Sequence, residues 1–171
     1  MLGAAHADSA SASAEHQNDT SVVPCRSGQL RLVASFYGEG LGQFTQTFTL
    51  TNVGRVPCRL AGWPGIRLSV GSGRAASVPT IRVVQGSPSA PPFRTVVLDP
   101  SGGAASFDLF GGDFNSKADR GCPKTKALFV TPPRASSMPI AVVVPNCGGF
   151  YVAPIIAGKT DRNAWSTVWH K

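Results

Sequence analysis

Between residues 30 and 155 the chain alternates apolar and polar side chains with a period of two. Leu30, Leu32 and Phe36 alternate with Arg31 and Ser35, which predicts a strand with one buried face and with Arg31 turned to water. Phe44, Phe48 and Leu50 then alternate with Thr45, Thr47, Thr49 and Thr51, a second strand rich in β-branched residues. Gly38-Glu39-Gly40-Leu41-Gly42 between them supplies residues that tolerate positive φ, so the two strands read as a hairpin. Ile66, Leu68 and Val70 against Arg67 and Ser69 make a third strand with a second outward arginine. Short β-branched runs at 78–84 and 95–98 follow, separated by the Pro- and Ser-rich loop 86–92. Residues 104–110 place Ala105, Phe107 and Leu109 on one face, 111–124 read as a polar loop, and 128–131, 140–144 and 150–155 are three more short strands. About eight strands, none of them helix-periodic, predict an all-β sandwich or barrel.

Two segments fall outside that pattern. Residues 1–21 are mostly Ala, Ser and polar residues that bury too little surface to offset ordering entropy, and they read as a flexible leader. Within it, Ala5-His6-Ala7 before Asp8 has the small-x-small form of a signal-peptidase site, although no basic region or long apolar run precedes it. Asn18-Asp19-Thr20 fits a glycosylation acceptor. Residues 158–171 form a tail in which Asp161 is placed to cap a short helix, with Ala164, Trp165, Val168 and Trp169 on one face. The remaining span, 22–157, has the length of one domain.

Composition narrows the class further. With 42% apolar and 15% charged residues, 19 Gly and 14 Pro, the chain suits a turn-rich β protein rather than a disordered one. Its four cysteines, Cys25, Cys58, Cys122 and Cys147, match no C-x-x-C zinc or redox spacing, so disulfides are expected, and with them an oxidising, extracellular or cell-envelope location. Cys25 with Cys58 and Cys122 with Cys147 are favoured over the nested and crossed alternatives, because each pair brackets neighbouring strands. No apolar run is long enough to span a membrane, and no small-residue run before Cys25 suggests a lipid anchor there.

The chain is organised around residues 50–68. Asn52 and Gly54 are turn residues expected to need left-handed or turn geometry that a β-branched residue cannot adopt cheaply, Pro57 precedes Cys58, and Gly62-Trp63-Pro64-Gly65 turns the chain into the third strand. Together, Leu-Thr-Asn-x-Gly, then Pro-Cys-x-Leu-x-Gly-Trp-Pro-Gly, then 97–100 as Val-Leu-Asp-Pro, with Cys122 in a loop and Cys147 before a last strand, form an ordered set. This set resembles that of a secreted and lipoprotein-attached actinobacterial family, the domain of unknown function 4232, over about residues 25–155. Pro100-Ser101-Gly102 departs from the plain Pro-Gly turn common in that family. The resemblance implies an immunoglobulin-like antiparallel sandwich outside the cell or in its envelope, and implies no activity.

Candidate chemistry is sparse. His6, His16 and His170 all lie in the tails, which leaves the core without the usual general base and without imidazole ligands. Asp113-x-Asn115-x-Lys117-x-Asp119 begins like a calcium loop, but Lys117 stands where an oxygen ligand is needed and Lys124 where a bidentate acid is needed. No metal and no cofactor is expected. Asp99, Asp108, Asp113 and Asp119 lie in or beside loops and are the acids available to a hydrolase. Trp63 and Tyr37 are candidates for sugar stacking, with Trp63 more simply a packing plug.

A net charge of +7 and a pI near 9.8 favour polyanionic partners. Nucleic acid is not expected, since the arginines are scattered and no aromatic platform accompanies them. Arg31, Arg55, Arg59, Arg67 and Trp63 are therefore the candidate contacts to an anionic wall polymer or to another envelope protein, provided the arginines gather on one face or end. The competing reading is a dispersed basic surface that aids solubility. The expected function is a non-catalytic secreted or envelope domain that binds or displays. The alternatives are a protein-binding module or inhibitor using a sheet edge, and a secreted hydrolase using loop carboxylates.

Overall fold

A long hairpin built from β1 (Leu30–Gly40) and β2 (Gln43–Asn52) forms one edge of the molecule. A computed structural model describes residues 21–69, 75–77, 80–82, 94–115 and 120–158. Nearly all of the expected leader, the tail helix, the 86–92 loop and Asp119 lie outside these residues. The hairpin turn is Leu41-Gly42, with φ of 54° and 79°. Two successive positive φ values give the turn a twist that matches the strands. Gly38 and Gly40, expected in the turn, pair with Thr45 and Gln43 inside the ladder instead.

One irregularity in β1 overturns a face assignment. Leu30, Leu32 and Ala34 oppose Asn52, Leu50 and Phe48, but the register shifts between Ala34 and Phe36, and Phe36 opposes Thr47. A bulged residue inverts the parity of everything after it. Phe36 therefore shares the outer face with Thr47, not the core face with Leu30 and Leu32. Gln46, 3% exposed, donates from Nε2 to the Phe36 carbonyl at 2.6 Å and so satisfies a backbone acceptor beside the bulge.

The remaining strands are β3 (Cys58–Leu60), β4 (Gly65–Ser69), β5 (Ala75–Ser77), β6 (Thr80–Arg82), β7 (Val96–Leu98), β8 (Ala104–Gly112), β9 (Phe114–Asn115), β10 (Arg120–Gly121), β11 (Ala127–Thr131), β12 (Met138–Ala141), β13 (Phe150–Val152) and β14 (Ile156–Ala157). A six-stranded sheet runs β1-β2-β8-β13-β6, with β14 also on β8, and a four-stranded sheet runs β12-β11-β4-β5. Two ribbons, β3–β7 and β9–β10, complete the set. Within the sheets and ribbons every pair is antiparallel except β13 with β6. The two main sheets hold more strands than the eight expected, because two- and three-residue segments are too short for alternation to register. Among the described residues there is no α-helix, only the single 3₁₀ turn η1 (Ser27–Gln29).

Phe48, Leu50, Phe107 and Leu109 of the larger sheet share one buried cluster with Ile66, Leu128 and Val130 of the smaller. The sheets thus face each other across a common core, the immunoglobulin-like antiparallel β-sandwich. Phe48 and Phe107 stack at 5.1 Å and Phe44 meets Phe150 edge-on at 6.1 Å, separations at which aromatic pairs add to area burial. Trp63 packs against this cluster, as the plug reading requires.

β2 and β8 occupy the middle of their sheet and are covered on both faces. Thr47 and Thr49, expected to face water, are 3% exposed, and Ser106 and Asp108 opposite them are 0% and 2% exposed. Threonine serves here because its methyl packs while its hydroxyl finds a partner: Thr47 Oγ1 donates to Asp108 Oδ1 at 2.6 Å and Thr49 Oγ1 to Ser35 Oγ at 3.0 Å.

Candidate functional site

At the end of the sandwich where β2 finishes, one asparagine gathers three chain segments. Asn52 is fully buried; its Nδ2 donates to the carbonyls of Val56 at 2.9 Å and Leu98 at 3.0 Å, and its Oδ1 accepts from the Gly54 amide at 2.9 Å. Its own amide donates to Gly103 and its carbonyl accepts from Gly102. Val53 N–H donates to the Gln29 carbonyl, and Ser101 N–H to the Gly54 carbonyl. These backbone groups of the turn are thereby satisfied within the protein, while the side chains of Val53, Arg55 and Val56 stay exposed.

Of the left-handed or turn geometry expected at Asn52 and Gly54, the chain uses the turn: it bends at 54–56, and neither residue has positive φ. The constraint at Gly54 is contact: a Cβ there would meet Asn52 Oδ1 at 3.1 Å and the Gln29 side chain at 3.3 Å. Left-handed geometry is used one turn away, at Ser101 and Gly102. Gly103 is tighter still, since a Cβ would fall 2.7 Å from the Asp99 carbonyl oxygen, 2.8 Å from the Leu98 carbonyl carbon and closer yet to the Asp99 nitrogen.

Cys25 and Cys58 are joined beside this turn, Cα to Cα 4.7 Å, as the bracketing of strands predicts. Arg59 is held along the same segment: its amide donates to Val23, its carbonyl accepts from Cys25, and its Nε donates to the Val22 carbonyl at 2.7 Å. Arg26 opens η1, and Arg31 lies on β1 opposite Thr51. Arg26, Arg31 and Arg55 are exposed and Arg59 is half-buried; among the described residues no carboxylate forms an ion pair with any of the four. Arg67 is exposed on β4, in the other sheet, between Phe129 and Ser77. The structure therefore brings Arg31, Arg55 and Arg59 to segments that meet at one end, places Arg67 on the other sheet, and packs Trp63 against the core. Arg26 was passed over in the sequence; its position directly after Cys25 is the signal that would have found it.

The opposite end carries the second disulfide, Cys122–Cys147, with Cα atoms 5.1 Å apart. Cys122 N–H donates to the Asp113 carbonyl and Asp113 N–H to the Gly42 carbonyl. Asp113 thus lies here while Asp99 lies in the turn at the arginine end. The nine residues of β8 between those ends span about 30 Å, against the roughly 5–10 Å that separates paired catalytic carboxylates. Asp108 is in neither loop but in the middle of β8, where burial pushes its carboxyl up to about 6, against the lowering effect of the Thr47 hydrogen bond. Tyr37, 39% exposed, has its phenol pushed up by burial and by its hydrogen bond to Glu39, and it stacks on Phe44 at 6.3 Å. Among the described residues no three His, Cys, Asp or Glu side chains are grouped to hold a metal ion.

No curated protein and no solved structure matches this chain. A family model does, over residues 25–155, a stretch that runs from the first cysteine through the Asn52 turn and both disulfides to Ile155, the last core residue among those described. Most of the chain is covered, and the protein belongs to the family described as Domain of unknown function (DUF4232).

Proposed function

We propose that this is a non-catalytic domain of the extracellular space or cell envelope that binds or displays, and that it recognises its partner through the Asn52 end of the sandwich. The observation that carries this reading is the 53–57 turn. Its internally bonded backbone holds exposed Val53, Arg55 and Val56 in one arrangement, so little ordering entropy remains to be lost on binding. Pairing of all four cysteines supports the location, since structural disulfides belong to oxidising compartments. The described helical residues include no span long and apolar enough to cross a membrane.

The test is to express the full chain with export, fractionate medium and wall, and challenge the purified protein with glycoside and ester substrates. Recovery outside the cytoplasm with no thiol alkylated before reduction, and no turnover, is the expected result. Turnover abolished by Asp99→Asn or Asp113→Asn would replace this reading with a hydrolase.

A second reading has its own support: β1 is an eleven-residue edge strand, exposed over most of its length, and such an edge can pair with an extended segment of a partner protein. A partner lost on Ala34→Lys but retained on Arg55→Ser would favour that edge over the turn.

A further inference from the structure

The segments that carry the basic residues of the Asn52 end are linked through η1. Gln29 is the link: the Gln29 amide donates to the Arg26 carbonyl at 2.9 Å, and the Gln29 carbonyl accepts from Val53 at 2.8 Å. Gly54 abuts the Gln29 side chain and Arg55 follows it; Arg31 lies two residues beyond Gln29; Arg59 is bonded through its carbonyl to Cys25, the neighbour of Arg26. The single described carboxylate in these segments is Asp99, exposed in the turn whose Ser101 bonds Gly54. At the opposite end the described residues Glu39 and Asp113 stand with Arg120 and Lys124, so of the two ends only the Asn52 end has an excess of basic over acidic described residues.

We propose that this end binds a flexible, phosphate-bearing polyanion, an inference that rests on the binding reading above. Guanidinium forks match phosphate oxygens in two-point contact. Each of these arginines is at least partly in water, where one charge contact contributes little. A single phosphate is therefore a poor ligand, and a chain that engages several arginines gains through effective concentration. Arg31 lies on the outer face of the six-stranded sheet, Arg55 on the end turn and Arg59 on the β3–β7 ribbon. A flexible polymer can follow these surfaces, whereas a flat bilayer reaches only part of them.

The experiment titrates the full chain with inorganic polyphosphate, orthophosphate and phosphatidylglycerol vesicles across a salt series. Polyphosphate is expected to bind, and to weaken steeply as the Debye length shrinks from about 10 Å at 0.1 M to about 3 Å at 1 M salt. Orthophosphate and vesicles are expected to bind at least about tenfold more weakly. Arg26→Ser/Arg55→Ser should lose about tenfold in affinity, the equivalent of two exposed charge contacts. Arg67→Ser/Lys126→Ser, on β4 of the smaller sheet and just before its β11, should stay within about twofold of the parent. Arg31→Ser/Arg55→Ser serves as the second variant if the first melts early. Equal losses in the two sets, binding indifferent to salt, preference for vesicles, or no polyphosphate binding would each overturn the proposal. Export and lack of turnover are measured separately, so failure here leaves the binding reading to its own test.

Discussion

The two disulfide-bearing ends of the sandwich use the same crosslink in opposite settings. Cys25 and Cys58 are 1% and 0% exposed and belong to the core cluster, beside an asparagine that ties three segments together. Cys147, in contrast, is exposed, and its partner Cys122, though buried, stands outside the core cluster, with its N–H donating to the Asp113 carbonyl. The glycines that terminate β8 differ in parallel. Gly103, at the first end, has no room for a methyl group, while Gly112, at the second, would place one at 3.8 Å from Cys147, an ordinary contact. One end is a packed keystone and the other a peripheral tether. Arg26, Arg31 and Arg55, all exposed, stand on the keystone end.

Removing the cystines tests that contrast most severely. In the chain-entropy account, both close loops of similar length and stabilise by about 3–4 kcal/mol each. Cys25→Ala/Cys58→Ala also leaves buried volume empty, so about 5 kcal/mol is expected for it against about 3–4 kcal/mol for Cys122→Ala/Cys147→Ala, read by chemical denaturation. Equal losses would mean that the two ends are mechanically alike.

Next in size are the two glycines. Gly103→Ala should destabilise by about 3 kcal/mol, because the obstructing atoms are backbone and cannot rotate away. Gly112→Ala should change stability by less than about 0.5 kcal/mol. Thermal melts of the pair decide whether the tight packing is confined to the Asn52 end.

Asp108, midway between the ends, supplies a pH term that belongs to neither. Its folded-state carboxyl keeps its proton up to about pH 6, whereas the unfolded one releases it near the ordinary value of 3.8. Between those values the folded protein binds more protons, so stability is full below the lower one and falls as pH rises through the window, by roughly 3 kcal/mol at most. Asp108→Asn retains an acceptor for Thr47 and should flatten this decline. A decline that survives the substitution would assign the titration to another group.

Much of this protein follows from its residues read locally. The alternation at 44–50 and 105–109 marks the core face of the central strands; the cysteines bracket the strands that they later crosslink; the Asn-x-Gly and Gly-Trp-Pro-Gly turns mark where the chain leaves the sheet. These are short-range facts, set by the pleat and by what each residue's backbone tolerates. Long-range geometry decided the rest. A bulge between Ala34 and Phe36 inverted a face that strict alternation had assigned, because parity counts residues and cannot register an extra one. Thr47, Thr49 and Asp108 became buried because β2 and β8 lie in the middle of a sheet covered on both sides. Arg31 and Arg67 have the same local pattern and end on different sheets, while the segments carrying Arg26 and Arg55, far apart in the sequence, meet at Gln29, and that of Arg59 joins them through Cys25. Which residues face water along one strand is a local matter of period two; which of them stand together depends on strand order, and strand order is settled only when the sheets pack.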